Sequence, residues 1–315
     1  MKKYVIKNDL VTLLFLQNNQ ILFKIEGNSY KKEVTNEEEI LLYDIYKNNN
    51  LVEISSKNEM IIGKLIEIGL LCIVNERFIK YQKTSLEKTN HLLYMLFNDV
   101  VIEKILKKTI MIIGVGGIGI EIINHLIALG IKKFVLVDYD YIDITNLNRQ
   151  LIFGVDDVGK NKLDVVKKIF CKKDKSLNFL LYKKKIECKN DLVSIIRKNS
   201  CDFIVCAADL PFAKINKSVI EASIELDIPC SFSGVGIKSG SVGPILNNNE
   251  LKRQFLMKYD KLVNSGAEAF PVAGSISMTN SIVSAYLSMD IMFFLMGKLE
   301  KVKSLNKCYE LSFFE

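Results

Sequence analysis

The sequence predicts an α/β protein, a doubly wound parallel sheet preceded by a small α+β module. Three observations predict it. From Thr109 onward, runs too apolar to have a wet face alternate with segments of helical periodicity, as in a parallel sheet wrapped by crossover helices. A glycine cluster, "GVGGIG" from Gly114 to Gly119, joins the first such run to the first helix. Before Thr109 the alternation is missing, and turn signals separate short β-type runs instead.

Residues 1–85 read as a module of their own. "YVIKNDLVTLLFLQNNQILFKIEGNSYKKEV" breaks into short strands at Asn-Asn and Gly-Asn. Thr35 and Glu38 form a capping box ahead of "EEILLYDIYKN", and Ser56 and Glu59 repeat the device for "KNEMIIGKLIEIG". "LLCIVNERFI" closes the module as a strand. Three strands with two or three helices suit a winged-helix-like unit. Residues 86–108 read as a connecting helix. In 109–315, "TIMIIGVGG" is the central strand, and "EIINHLIALG" is the crossover helix with Gly130 at its C-terminus. "KKFVLVDYD" is the next strand, "GKNKLDVVKKIFCKK" a second helix, and "DFIVCAAD" a further buried strand. "NKSVIEASIEL" and "IPCSFSGVGI" add another helix and strand. Residues 239–272 read as a polar loop with a short helical piece, a lid over the substrate.

Composition narrows the class. At 315 residues, 49% hydrophobic and 25% charged, the chain has material for one large core or a core plus a smaller module. The formal charge of +7 is spread over Lys-rich helix faces such as "KLDVVKKIFCKKDK" rather than concentrated in an arm, so no nucleic-acid partner is expected. The seven cysteines include no CxxC pair, so no zinc site is expected. "MKKYVIKNDLVTLLFLQNN" interrupts its apolar run with charges, which argues against a signal peptide. No apolar run reaches spanning length; the longest candidate, near 282–297, carries Asp290. The expectation is a cytoplasmic protein with reduced thiols and no membrane partner.

The glycine turn lets backbone N–H groups approach an anion, with the positive end of a helix behind them. Gly114, Gly116, Gly117 and Gly119 satisfy the spacing, and Asp138 ends the following strand where ribose hydroxyls can donate to it. That much suits a dinucleotide as well as a triphosphate. The next segment, "DYDYIDITNLNRQLIFGVDDVGKNKLDVV", decides between them. Asp140, Asn146, Asn148, Arg149 and Gln150 form a polar cluster, and Lys162 follows from the next helix. A pyrophosphate bridge at a helix end has little use for an added Arg and Lys. A triphosphate that loses pyrophosphate does, because negative charge grows on the leaving group.

"GVGGIG", the Asp-x-Asp after the second strand, "NLNRQ" and "GKNK" resemble the ThiF/MoeB superfamily of ubiquitin-activating-type adenylating enzymes. The resemblance covers residues 109–235, and more loosely the helix of "GSISMTNSIVSAYLSMDI". It implies a Rossmann-like adenylation domain with ATP and Mg²⁺ as cofactors. It places Gly117 against the phosphates, Asp138 on the ribose, and Asn146, Asn148, Arg149 and Lys162 on the triphosphate. Asp209, in "CAADLPFAK", matches the family's Mg²⁺-binding aspartate, and Leu210 replaces the asparagine that follows it there. Arg149, Lys162 and Asp209 are thus the expected catalytic residues.

No Ser–His–Asp or Cys–His set can be assembled from His91 and His125, and between Cys230 and Cys308 there is no cysteine for a thioester step. An adenylating enzyme needs no base, because a carboxylate is already ionised at neutral pH. The family's cross-subunit arginine has no counterpart here between Arg77 and Arg149, and Lys88 could replace it only as a point charge. An N-terminal module before an adenylating domain without a catalytic cysteine resembles the branch that modifies ribosomally made peptides. That branch implies a precursor peptide as substrate, added to a sheet edge such as "ILFKIEGN" or "KKEVT", and a homodimer. Activation of a C-terminal carboxylate or amide and activation of a glutamate side chain both stay open. So do activation of a ubiquitin-like sulfur carrier and a non-catalytic, peptide-presenting scaffold.

Overall fold

The computed structural model describes residues 3–16, 18–25, 27–48, 51–266 and 274–314. The chain divides into two compact units, Met1–Ile102 and Glu103–Glu315.

The first unit contains β1 (Tyr4–Lys7), β2 (Thr12–Phe15), β3 (Gln20–Ile25), β4 (Asn28–Glu33), α1 (Asn36–Asn48), β5 (Val52–Glu53), α2 (Glu59–Glu67), β6 (Leu71–Val74), α3 (Glu76–Ile79) and α4 (Glu87–Phe97). Its strands form two three-stranded sheets, ordered β5-β1-β6 and β2-β3-β4, so the described residues hold six strands where the sequence suggests three. Asn18, Asn19 and Gly27 adopt positive φ and make the tight reversals of the second sheet. Ile21 and Phe23 of β3 join Leu42 and Ile45 of α1 and Ile62 and Leu65 of α2 in one core.

The Thr35 capping box forms as expected, with Glu38 N–H donating to Thr35 Oγ1 (3.2 Å) and Thr35 N–H to Glu38 Oε2 (2.9 Å). The second box does not. Helix α2 starts at Glu59, and Asn58 Oδ1 accepts from Ser55 N–H at 2.8 Å in its place. "LLCIVNERFI" is not one strand either, because Asn75 Oδ1 accepts the amides of Arg77 and Phe78 and turns the chain into α3. Strand β3 is flanked on both sides, whereas β4, exposed at all six residues, lies at a sheet edge.

The second unit runs β7 (Thr109–Ile113), α5 (Gly117–Ala128), β8 (Lys133–Val137), α6 (Lys162–Lys173), β9 (Asn178–Tyr182), α7 (Lys189–Asn199), β10 (Phe203–Cys206), α8 (Lys214–Glu225), β11 (Cys230–Val235), β12 (Ser239–Leu246), α9 (Asn249–Asn264), α10 (Ser277–Leu295) and β13 (Tyr309–Ser312). Its sheet has the order β13-β12-β11-β10-β7-β8-β9. Strands β11 to β9 are parallel, and β12 and β13 are antiparallel. Alternation splits the apolar runs between the two faces. Met111, Ile113, Val135, Val137 and Ile204 pack with α7 and α8. On the other face Phe203 meets Phe294 of α10 at 5.5 Å between ring centroids, and Phe134 stacks on Phe179 at 5.5 Å. This is the Rossmann-like doubly wound core that the sequence predicts.

Two expectations change here. Residues 239–266 are not a polar loop: β12 joins the sheet with most of its residues buried, and α9 fills the rest. The remainder of that stretch, 267–272, lies outside the described residues. Helix α10, at 19 residues, is also long and apolar enough to cross a membrane by length and composition. Within the fold, though, its buried Asp290 accepts the backbone N–H groups of Lys303 (3.0 Å) and Ser304 (2.8 Å). Helix α9 carries a fully buried lysine, Lys252, whose Nζ donates to the carbonyls of Ser223 (3.1 Å), in the last turn of α8, and Ile228 (2.9 Å), just beyond it. Burial pushes its pKa down.

Candidate active site

The chain leaves β7 towards β8 and β9 on one side, then adds β10 and β11 on the other. The strand order therefore reverses between the C-terminal ends of β7 and β10, where open α/β sheets form a ligand crevice. A cavity of about 470 Å³ lies there.

The glycine turn builds its floor. Gly114 has φ +85°, and a Cβ there would sit 2.7–2.8 Å from the backbone of Ala207 and Ala208, so only glycine lets the turn lie against the end of β10. Gly116 is the N-cap of α5 and supplies no side-chain cap, which leaves the first-turn amides of the helix to other partners. A Cβ on Gly117 would lie 2.6 Å from Asn280 Oδ1. Asp138 fastens this turn: its Oδ2 accepts from Val115 N–H (2.6 Å) and its Oδ1 from Asp140 N–H (2.8 Å). Each oxygen keeps a second lone pair for a ligand.

The charged groups come from the following loop and helix. Lys162 is only 5% exposed, and its Nζ donates to Asp140 Oδ2 at 2.9 Å while its backbone N–H donates to the Asp140 carbonyl. Arg149 Nη1 donates to the Thr145 carbonyl (2.8 Å) and to Asn148 Oδ1 (3.0 Å). Asp209 stands after β10 on the cavity wall, open to the cavity but walled by protein. Burial pushes its carboxyl above the usual carboxylate range, and the Arg149 guanidinium draws it partly back.

The cavity gathers Gly114, Gly116, Gly117, Asp138, Asp140, Arg149, Lys162 and Asp209. Three residues named from the sequence are outside its wall. Gly119 packs under the turn, where a Cβ would collide with the Gly114 carbonyl oxygen. Asn146 closes a capping box with Asp143, its Oδ1 accepting from Asp143 N–H (3.2 Å). Asn148 donates its Nδ2 to the Ser275 carbonyl (2.7 Å). The wall also contains residues that sequence reasoning passes over, among them Tyr139, Lys184, Ser233, Asn280 and Ser275. Gln150, seen in the cluster but given no role, is 2% exposed on this wall, and its Oε1 has no hydrogen-bond partner. Among the described residues, no cysteine or histidine is part of the wall. Cys206 and Cys230 are buried in the sheet, with thiols pushed up to about 12 and about 11. His125 faces Ser288 Oγ at 3.3 Å on α10.

A profile of the ThiF family matches residues 89–315. The chain belongs to the ThiF family. Over 150 residues this ThiF-family chain is 32% identical to the adenylyltransferase and sulfurtransferase UBA4 of Scheffersomyces stipitis, covering 47% of this chain and 32% of that protein. It is 33% identical over 107 residues to the probable molybdopterin-synthase adenylyltransferase of Porphyra purpurea, covering 34% and 27%. The chain thus spans about a third or less of the length of these curated relatives. Among solved structures, Escherichia coli MccB with AMPCPP and MccA matches 100% of this chain and 95% of its own at a TM-score of 0.69 and 24% identity. PaaA matches 98% and 96% at a TM-score of 0.66 and 18% identity. At these identities the likeness is one of fold, and it extends over the N-terminal unit of this ThiF-family chain as well as its core.

Proposed function

We propose that this chain uses ATP to adenylate a carboxylate or amide of a ribosomally synthesised precursor peptide. The observation that carries the adenylation is the cavity's chemistry. A helix end behind a glycine turn, a guanidinium, a buried ammonium and a carboxylate converge there, and no thiol or imidazole lines it. Such a site suits a polyanion, and without a described thiol or imidazole on its wall the attacking group is assigned to the substrate.

In this reading the turn at Gly114, Gly116 and Gly117 lets backbone amides approach the phosphates. Asp138 offers its spare lone pairs to the ribose. A substrate carboxylate oxygen attacks the α-phosphorus; the new O–P bond forms as the bond to the bridging oxygen breaks, and pyrophosphate leaves. An amide nucleophile releases one proton as well. Arg149 and Lys162 offset the charge growing on pyrophosphate, and Asp140 keeps Lys162 aimed. Asp209 fits Mg²⁺: it is a carboxylate on the cavity wall, and Mg²⁺ takes most of its ligands from phosphates and water around one or two carboxylates. Mg²⁺ held there would supply charge neutralisation for the leaving group.

The peptide part rests on fold. MccB, solved with MccA, is similar along this entire chain, and β4 supplies an edge strand for pairing. The named relatives support a second reading, activation of a sulfur-carrier protein. We also propose a homodimer, because Met278, Ile282 and Met289 expose an apolar stripe along α10. A monomer mass by sedimentation would overturn that.

The deciding experiment is mass spectrometry of the nucleotide products with ATP, Mg²⁺ and a peptide encoded beside the gene. AMP and pyrophosphate formed only with the peptide support the reading. ADP and phosphate would replace it with phosphorylation. Turnover with a Gly-Gly-ended carrier protein instead would favour the second reading.

A further inference from the structure

Asn280, in the first turn of α10, is 5% exposed and lines the cavity opposite the glycine turn. Its Nδ2 donates to the Ile276 carbonyl (2.7 Å) and to Ser275 Oγ (2.8 Å). A carbonyl accepts only from a donor, so this contact fixes the amide orientation and turns Oδ1 towards Gly117. Ser275 is shared. Its backbone carbonyl accepts from Asn148 Nδ2 (2.7 Å), and Asn148 Oδ1 accepts from Arg149 Nη1 (3.0 Å). Hydrogen bonds therefore link the Arg149 guanidinium through Asn148 and Ser275 to Asn280, whose Oδ1 lies beside the first residue of α5. Gln150 is buried on the same wall with its Oε1 unpartnered, an acceptor open to a donor.

We propose that Asn280 is a positioning residue of the triphosphate site. It holds the N-terminal turn of α10 beside that of α5, and through Ser275 and Asn148 it sets the guanidinium of Arg149, so that all three face one anion. Asn148 then acts through Arg149 rather than on the phosphates. This rests on the nucleotide reading above.

The test is calorimetric titration of the full chain with ATP and, separately, with adenosine, for the unaltered protein, Asn280→Ala and Asn280→Asp. The expected result is about tenfold weaker ATP binding for Asn280→Ala, the worth of one lost hydrogen-bonded contact. Asn280→Asp should be weaker still, although it is the closer match in shape, because it sets a negative charge beside Gly117. Adenosine affinity should stay within about twofold in both, and thermal melting checks that each variant is folded. A milder Asn280→Asp than Asn280→Ala, or equal losses for ATP and adenosine, would leave only a structural role. Unchanged ATP affinity in folded variants overturns the proposal alone. Failure of the unaltered protein to bind ATP overturns the nucleotide reading and this proposal with it.

Discussion

Replacing Gly117 by alanine separates what the glycine turn does for the fold from what it does for the cavity. The added methyl would lie 2.6 Å from Asn280 Oδ1, 3.0 Å from its Cγ and 3.4 Å from Arg149 Cγ. Ordinary contact needs about 3.4 Å, so the carboxamide must retreat by about 0.8 Å. Its two hydrogen bonds, at 2.7 and 2.8 Å, then stretch beyond useful range. At about 0.5–1.5 kcal/mol each, they sum to about 1–3 kcal/mol, partly offset by the better helix propensity of alanine. For a unit of this size that is a fall of roughly 2–8 °C in melting temperature. Gly119→Ala meets a different obstacle, the Gly114 carbonyl oxygen, which is backbone and cannot swing aside. It should therefore cost more than Gly117→Ala in melting temperature, while Gly117→Ala, which displaces Asn280, should still weaken ATP binding. Differential scanning calorimetry and titration with ATP on the two variants settle the matter. Equal stability losses, or a Gly117→Ala protein with unchanged ATP affinity, would refute the reasoning.

Asp209→Ala should abolish nucleotide turnover in a protein that still melts cooperatively; full activity would remove Asp209 from the mechanism. Because burial holds the Asp209 pKa above its unfolded value, the folded chain binds its proton more tightly, and stability is lost as pH rises through the folded pKa. Asp209→Asn should accordingly melt higher at neutral pH, with the difference closing below the unfolded carboxylate range. The buried Lys252 has the opposite sign. Its folded pKa lies below 10.5, so its contribution to stability should rise with pH between those two values, and Lys252→Met should flatten that part of a denaturant-midpoint profile. Cys206 and Cys230, with thiols near 12 and 11, should resist iodoacetamide at about pH 8 in the folded protein and react once it is unfolded, as read by mass spectrometry.

The core was legible because its signals are local and strong. The buried strand runs, the Gly114–Gly119 turn and Gly130 at the end of α5 are fixed by near neighbours in sequence. So are the groups that end on the cavity wall from one continuous loop and helix, such as Asp140, Arg149 and Lys162. What escaped was contributed from a distance. Asn280 comes from a helix more than a hundred residues further on, Ser275 from the segment just before it, and nothing in "SISMTNS" marks one asparagine as facing a glycine. Lys184 sits in "YKKKIE", where three lysines look alike until the loop places one of them on the wall. Asn148 was read as a ligand because of its neighbours, but the direction of its amide depends on the Ser275 carbonyl. The stretch around β12 read as a loop because "SGSVGPILNNN" is rich in turn formers, yet pairing with β11 and β13 overrides that preference.

Every described side chain on the cavity wall lies between Ile113 and Asn280, within the second unit. One continuous stretch of chain therefore carries every described group that borders the cavity, from the glycine turn to the first turn of α10.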